Sequence, residues 1–161
     1  MDTPSIDFFH KFIQIIPMKQ FLPLLACTLL AFFFTLNANA QNNTTQHKVV
    51  IQLNTADTSA WTSTMGNIKN LQRLWPNQVM VEVVVHGMAL DLLVASKTPM
   101  AKEVTELTKT GVNFMACENS MRKHHVAKAD LVTEAFTVSS GVAEVVLKQE
   151  AGWSYLKAGI N

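Results

Sequence analysis

The stretch Val79-Met80-Val81-Glu82-Val83-Val84-Val85 constrains the fold more than any other part of this chain, because it is nearly continuous β-branched sequence. Alternating apolar and polar residues mark a strand with one wet face, whereas an unbroken run marks a strand covered on both. A central strand of an α/β sheet is expected here. Glu82 interrupts the run, and its carboxylate reads more readily as the partner of a lysine near a sheet end than as a catalytic group.

The flanking sequence alternates between the two regular periods. Lys48 to Leu53 is a second β-branched run. Asp57 or Thr58 then caps a helix whose Trp61, Met65, Ile68, Leu71 and Trp75 recur at steps of three and four, and Pro76 ends it. Both tryptophans are expected in the core. Thr98-Pro99 supplies a cap and first-turn proline for a helix ending at Gly111. Val112 to Ala116 is a third strand, followed by Cys117-Glu118-Asn119-Ser120 and a basic helical stretch through His125. Ala135 to Val138 gives a fourth strand, Val142 to Glu150 a helix stopped by Gly152, and Trp153 to Lys157 a short fifth strand. Short parallel strands need helical crossovers, so a three-layer α/β/α sandwich is predicted.

An apolar block before this pattern belongs to export rather than to the fold. Met18-Lys19-Gln20 opens a segment that is apolar from Phe21 to Leu36 and closes on Asn37-Ala38-Asn39-Ala40. A positive start, an apolar core and a small-x-small site make a signal peptide over residues 18–40, with Gln41 as the new N-terminus. The run is short for a membrane span and Pro23 interrupts it, which favours cleavage over anchoring. The residues after Cys27 stay apolar, against a lipoprotein reading of Leu24-Leu25-Ala26-Cys27. Residues 1–17 are read as an upstream extension outside the mature protein, 41–47 as a flexible lead-in, and 48–161 as one domain. The expected location is periplasmic or secreted.

The 121 residues from 41 to 161 suffice for one core without disulfides, and they hold a single cysteine, Cys117. The chain carries 13 Lys+Arg against 12 Asp+Glu, a net of +1, with no basic stripe to suggest nucleic acid. No second apolar run suggests a membrane after cleavage. No phosphate loop, dinucleotide glycine fingerprint or serine nucleophile elbow is present, and no cofactor is implied.

In an open parallel sheet the site forms from loops at the carboxyl ends of the strands. Those loops hold Asn54 to Asp57, His86-Gly87-Met88, Cys117 to Ser120, and Ser139-Ser140-Gly141. Cys117 opens a helix, where unpaired N–H groups of Asn119 to Met121 favour thiolate, and Arg122 and Lys123 add positive charge. Its pKa is expected below the ordinary value, although Glu118 and burial under Met88 or Met115 oppose this. The competing reading is a small buried hydrophobe. His86 is either a base orienting Cys117 or a hydrogen-bonded structural histidine. Cys117, His86 and His124 or His125 match no compact zinc spacing, so no metal is assigned.

Val81 to Gly87, then Gly111-Val112-Asn113-Phe114 leading to Cys117-Glu118-Asn119, and Ser140-Gly141-Val142-Ala143-Glu144 through Gly152-Trp153-Ser154-Tyr155-Leu156-Lys157 resemble the DsrE/DsrF-like family, particularly its small stand-alone members. The resemblance covers nearly the whole domain. It implies a five-stranded parallel sheet of the DsrEFH-like kind, homo-oligomers, and a cysteine that carries sulfane sulfur as a persulfide in a sulfur relay, a role that would fall to Cys117. His86 would act with it, and Asn54, Gly87, Asn119, Ser120, Ser140 and Gly141 would line the pocket. Partners would be small sulfur species or a thiol partner, with sulfurtransferase or sulfur-carrier activity. The alternative is a non-catalytic binding domain whose cysteine only lines a pocket. Self-association is also suggested by the apolar loop Met88-Ala89-Leu90-Asp91-Leu92-Leu93, which a small monomer would struggle to cover.

Overall fold

The computed structural model describes residues 46–159. The signal-peptide reading, Cys27 and nearly all of the lead-in lie outside these residues. Five strands, β1 (His47–Leu53), β2 (Val79–Val85), β3 (Asn113–Cys117), β4 (Phe136–Val138) and β5 (Ser154–Lys157), form one sheet. Its order is β4-β3-β2-β1-β5 and every pairing is parallel. Four helices connect them: α1 (Thr58–Leu74), α2 (Ala101–Lys109), α3 (Glu118–Lys123) and α4 (Gly141–Glu150).

Strand order decides which face each helix covers. The steps from β1 to β4 all move across the sheet in one direction, and right-handed crossovers then place their connections on one face. The step from β4 to β5 moves back across the sheet, so α4 falls on the other face. Packing follows that division. Val49, Ile51, Leu53, Val81, Val83, Val85 and Phe114 meet Trp61, Met65 and Ile68 of α1 and Val104 and Leu107 of α2 in the main core. Beneath α4 the buried apolar cluster is only Val50, Val84 and Val145, with Met115 and Trp153 against it.

The β-branched runs become strands as expected, and β2 spans Val79–Val85. Asp57 caps α1, accepting the Ser59 N–H at 2.8 Å. Thr98 closes a turn by accepting the Met100 N–H at 3.1 Å, and α2 starts only at Ala101. Three expectations need correction. Trp61 is buried, but Trp75 lies at the C-cap of α1, half-buried and stacked on His47 at 3.9 Å between ring centroids. The apolar loop after β2 covers itself: Gly87–Leu93 winds into a 3₁₀ helix that buries Ala89, Leu90, Leu92 and Leu93, leaving Met88 exposed. Glu82 does pair with a lysine, Lys148, but from the middle of β2 rather than a sheet end, opposite Val50 and Asn113.

Candidate functional site around Cys117

Cys117 is the last residue of β3 and the N-cap of α3. Pairing with Val138 extends the strand to it, so the cysteine sits where strand turns into helix. Its sulfur accepts a hydrogen bond from the Gly141 N–H at 3.1 Å. Gly141 is the first residue of α4, so the N-termini of two helices converge on one thiol. Burial pushes the thiol pKa up. The Gly141 N–H, the Ser120 N–H and hydroxyl, and the Asn119 N–H outweigh it, and the thiol ends below its ordinary value.

Gly141 permits this approach because it has no side chain. A Cβ there would lie 3.1 Å from the His86 Cβ and 3.2 Å from both the Cys117 Cβ and the Val84 Cγ1. The same contacts show that His86 and Cys117 flank one point. Ser140 caps α4, its side chain accepting the Ala143 N–H at 3.4 Å. On the other side, Ser120 accepts the Gly87 N–H at 2.8 Å, and its own hydroxyl hydrogen is left for the sulfur. Gly87 has a left-handed φ of 57°, and a Cβ there would lie 3.5 Å from the Asn54 carbonyl.

His86 stands beside the cysteine but has a different partner. Its Nε2 is 2.9 Å from the Gln52 side-chain nitrogen, and the Tyr155 hydroxyl donates to the Gln52 side-chain oxygen. With Gln52 donating, His86 is neutral and protonated on Nδ1. Burial lowers its pKa, which agrees with the neutral ring. Among the described residues no hydrogen bond joins His86 to Cys117.

Gly141 therefore bonds the Cys117 sulfur directly, and Asn119 and Ser120 at the start of α3 help lower its pKa. His86, Gly87 and Ser140 support that contact, and Asn54 enters only through its carbonyl. The positive charges expected to assist lie elsewhere: Arg122 and Lys123 are exposed, and Arg122 donates to the Asn119 side chain. Gln52 and Tyr155 were not anticipated. A polar Gln52 within the apolar run of β1, on the sheet face that also holds Val84 and His86, was the available signal. A groove of about 530 Å³ lined by His47, Lys48, Trp75 and Leu156 opens at the amino ends of the strands, away from Cys117. Cys117 itself is 4% exposed, so only a small reactant reaches it without movement of α4.

The parallel sheet with its thiol at the carboxyl edge defines an α/β domain with one candidate nucleophile. A family model described as the DsrE/DsrF-like family matches residues 30–158, and the chain belongs to that family. Among solved structures, the protein of unknown function MTH1491 from Methanobacterium thermoautotrophicum is 32% identical, with a TM-score of 0.66 over 69% of this chain and 98% of that one. The conserved protein of unknown function BT1422 from Bacteroides thetaiotaomicron, 18% identical, covers 73% of this chain and 99% of its own at a TM-score of 0.56. The ychN protein from E. coli, 10% identical, covers 70% and 98% at 0.55. These last two share the fold. No curated protein matches the chain.

Proposed function

We propose that this protein handles sulfur through Cys117, as a carrier that holds sulfane sulfur in a persulfide. The observation carrying this reading is the Gly141 N–H at the start of α4, donating to the buried Cys117 sulfur at 3.1 Å. Such donors favour thiolate, and they suit a persulfide anion equally, because both are sulfur anions needing hydrogen bonds in a dry place. Sulfur relay is the role that family resemblance implies for a cysteine at this strand-to-helix position.

The loading step needs no external oxidant. The Cys117 thiolate attacks the sulfane sulfur of thiosulfate, the sulfur–sulfur bond of the donor breaks, and sulfite leaves with the electron pair. Cys117 is left as a persulfide anion. A thiol partner then takes the outer sulfur by the same displacement, returning the Cys117 thiolate. His86, neutral and beside the thiol, forms part of the wall around the adduct. We further propose that residues 18–40 are a cleaved leader, the sequence reading that puts this chemistry in the periplasm or the secreted fraction.

The slight exposure of Cys117 favours a second reading, a binding domain in which the thiol only lines a pocket. Intact-mass measurement after incubation with thiosulfate or polysulfide separates the two. The carrier gains one sulfur, located on Cys117 and lost in Cys117→Ser. A folded protein that takes up no sulfur from either donor has the second role.

A further inference from the structure

Helix α4 is weakly gripped for an element that supplies the Cys117 hydrogen bond. Its buried residues are Gly141 and Val145, and Val142, Val146 and Leu147 face outward. Two helical turns beyond Gly141, on the same side of the helix, Lys148 reaches down to the sheet. Its Nζ is 2.6 Å from Glu82 Oε2 and 3.4 Å from Glu144 Oε1, and it lies 4.6 Å over the Trp153 ring. Glu82 is completely buried, and its other oxygen, Oε1, has no hydrogen-bond partner among the described residues. Among the described residues the carboxylate thus has Lys148 as its one hydrogen-bond partner.

We propose that the buried Glu82–Lys148 pair is a positioning device for the thiol, fixing the register of α4 on the sheet so that the Gly141 N–H reaches Cys117. This deepens the reading of Cys117 as the working thiol and rests on it. An ion pair suits the task where apolar packing does not. Three valines slide past one another at little cost, whereas a buried carboxylate with one partner loses its compensation as soon as that partner moves. Burial and pairing act in opposite directions on the two partners. Burial lowers the Lys148 pKa, but the hydrogen bond it donates to Glu82 and the carboxylates of Glu82 and Glu144 outweigh it and leave the pKa raised. At Glu82 burial, helped by the nearby Glu144, outweighs Lys148 and leaves the carboxyl pKa raised, so Lys148 is the one group opposing protonation there. Near the thiol, His86 is the titratable side chain alongside, and it is neutral.

The test is the pH midpoint of Cys117 alkylation in the folded protein. Glu82→Val with Lys148→Ala removes the anchor without leaving a buried charge, and the midpoint should rise by about one pH unit, roughly tenfold less thiolate well below it. Lys148→Arg keeps the charge and should keep the wild-type midpoint. Val104→Ala weakens the opposite face of the sheet and should leave the midpoint unchanged, which a general loss of stability would not. A folded double variant with the wild-type midpoint overturns the proposal. If that variant does not fold, Glu82→Asp, which withdraws the carboxylate from Lys148, takes its place under the same criterion. Sulfur uptake is scored separately on the wild-type protein. Uptake with an unmoved variant midpoint sinks only the positioning role, and a moved midpoint without uptake sinks only the carrier role.

Discussion

Burial and hydrogen bonding pull the Cys117 thiol in opposite directions, and their balance decides whether it reacts at all. A thiol this enclosed would by burial alone stay neutral. The nearest donor, Gly141 N–H, lies 3.1 Å away at a helix start, where no intrahelical acceptor competes for it. His86 receives no such support. Burial alone lowers its pKa from 6.5, which carries a pH dependence whose sign is fixed. As pH falls, the unfolded chain takes up this proton first. Stability tied to neutral His86 is complete above about pH 6.5 and is lost as pH falls through the lower folded-state value. Denaturant unfolding at several pH values should show wild type losing more stability on acidification below 6.5 than His86→Gln. Equal losses in the two proteins would remove the buried neutral histidine from the account.

At the scale of elements, α4 reaches the thiol because its first residue is glycine. Alanine is ordinarily the better helix former by about 1 kcal/mol. At Gly141 the added Cβ meets three atoms at 3.1–3.2 Å, each on a strand or at its end, and none is the far end of a flexible side chain. Overpacking of this kind costs about 1–3 kcal/mol, so Gly141→Ala should destabilise despite its helix propensity. It should also raise the Cys117 alkylation midpoint by moving the N–H away. Thermal melting with alkylation checks both, and an alanine variant as stable as wild type with an unmoved midpoint contradicts the close docking. The elements themselves were legible. The β-branched run became β2 residue for residue, and the alternation of periods announced the parallel sheet. Positions of Cys117 and Gly141 at carboxyl-edge loops were also readable. Their contact was not, since it joins residues 24 positions apart through the placement of α4. The Tyr155–Gln52 bond spans 103 positions and leaves no local trace. The Met88–Leu93 segment misled because a 3₁₀ helix can bury an apolar loop that looks stranded in sequence.

At the scale of the described domain, the two faces of the sheet are unequally covered, and most of its exposed large apolar residues lie on the thinner side. Met80, Phe136 and Tyr155 lie on the α4 face of the sheet, and Val142, Val146 and Leu147 are exposed on α4 itself. Exposed apolar residues gathered on one face commonly mark an interface. The self-association expected from sequence therefore has a different surface to use from the loop first suspected. Light scattering of the chain from Gln41 at micromolar concentration should show more than one subunit, and Val146→Glu with Leu147→Glu should return it to one. A wild-type monomer would end this expectation. The central claim concerns the thiol, and the pH dependence of its alkylation by iodoacetamide in the folded wild-type protein tests it most directly. A midpoint clearly below the value of about 8.5 for a free cysteine is the predicted result. A midpoint at or above that value, or reaction only after denaturation, would make Cys117 a core residue and contradict the account.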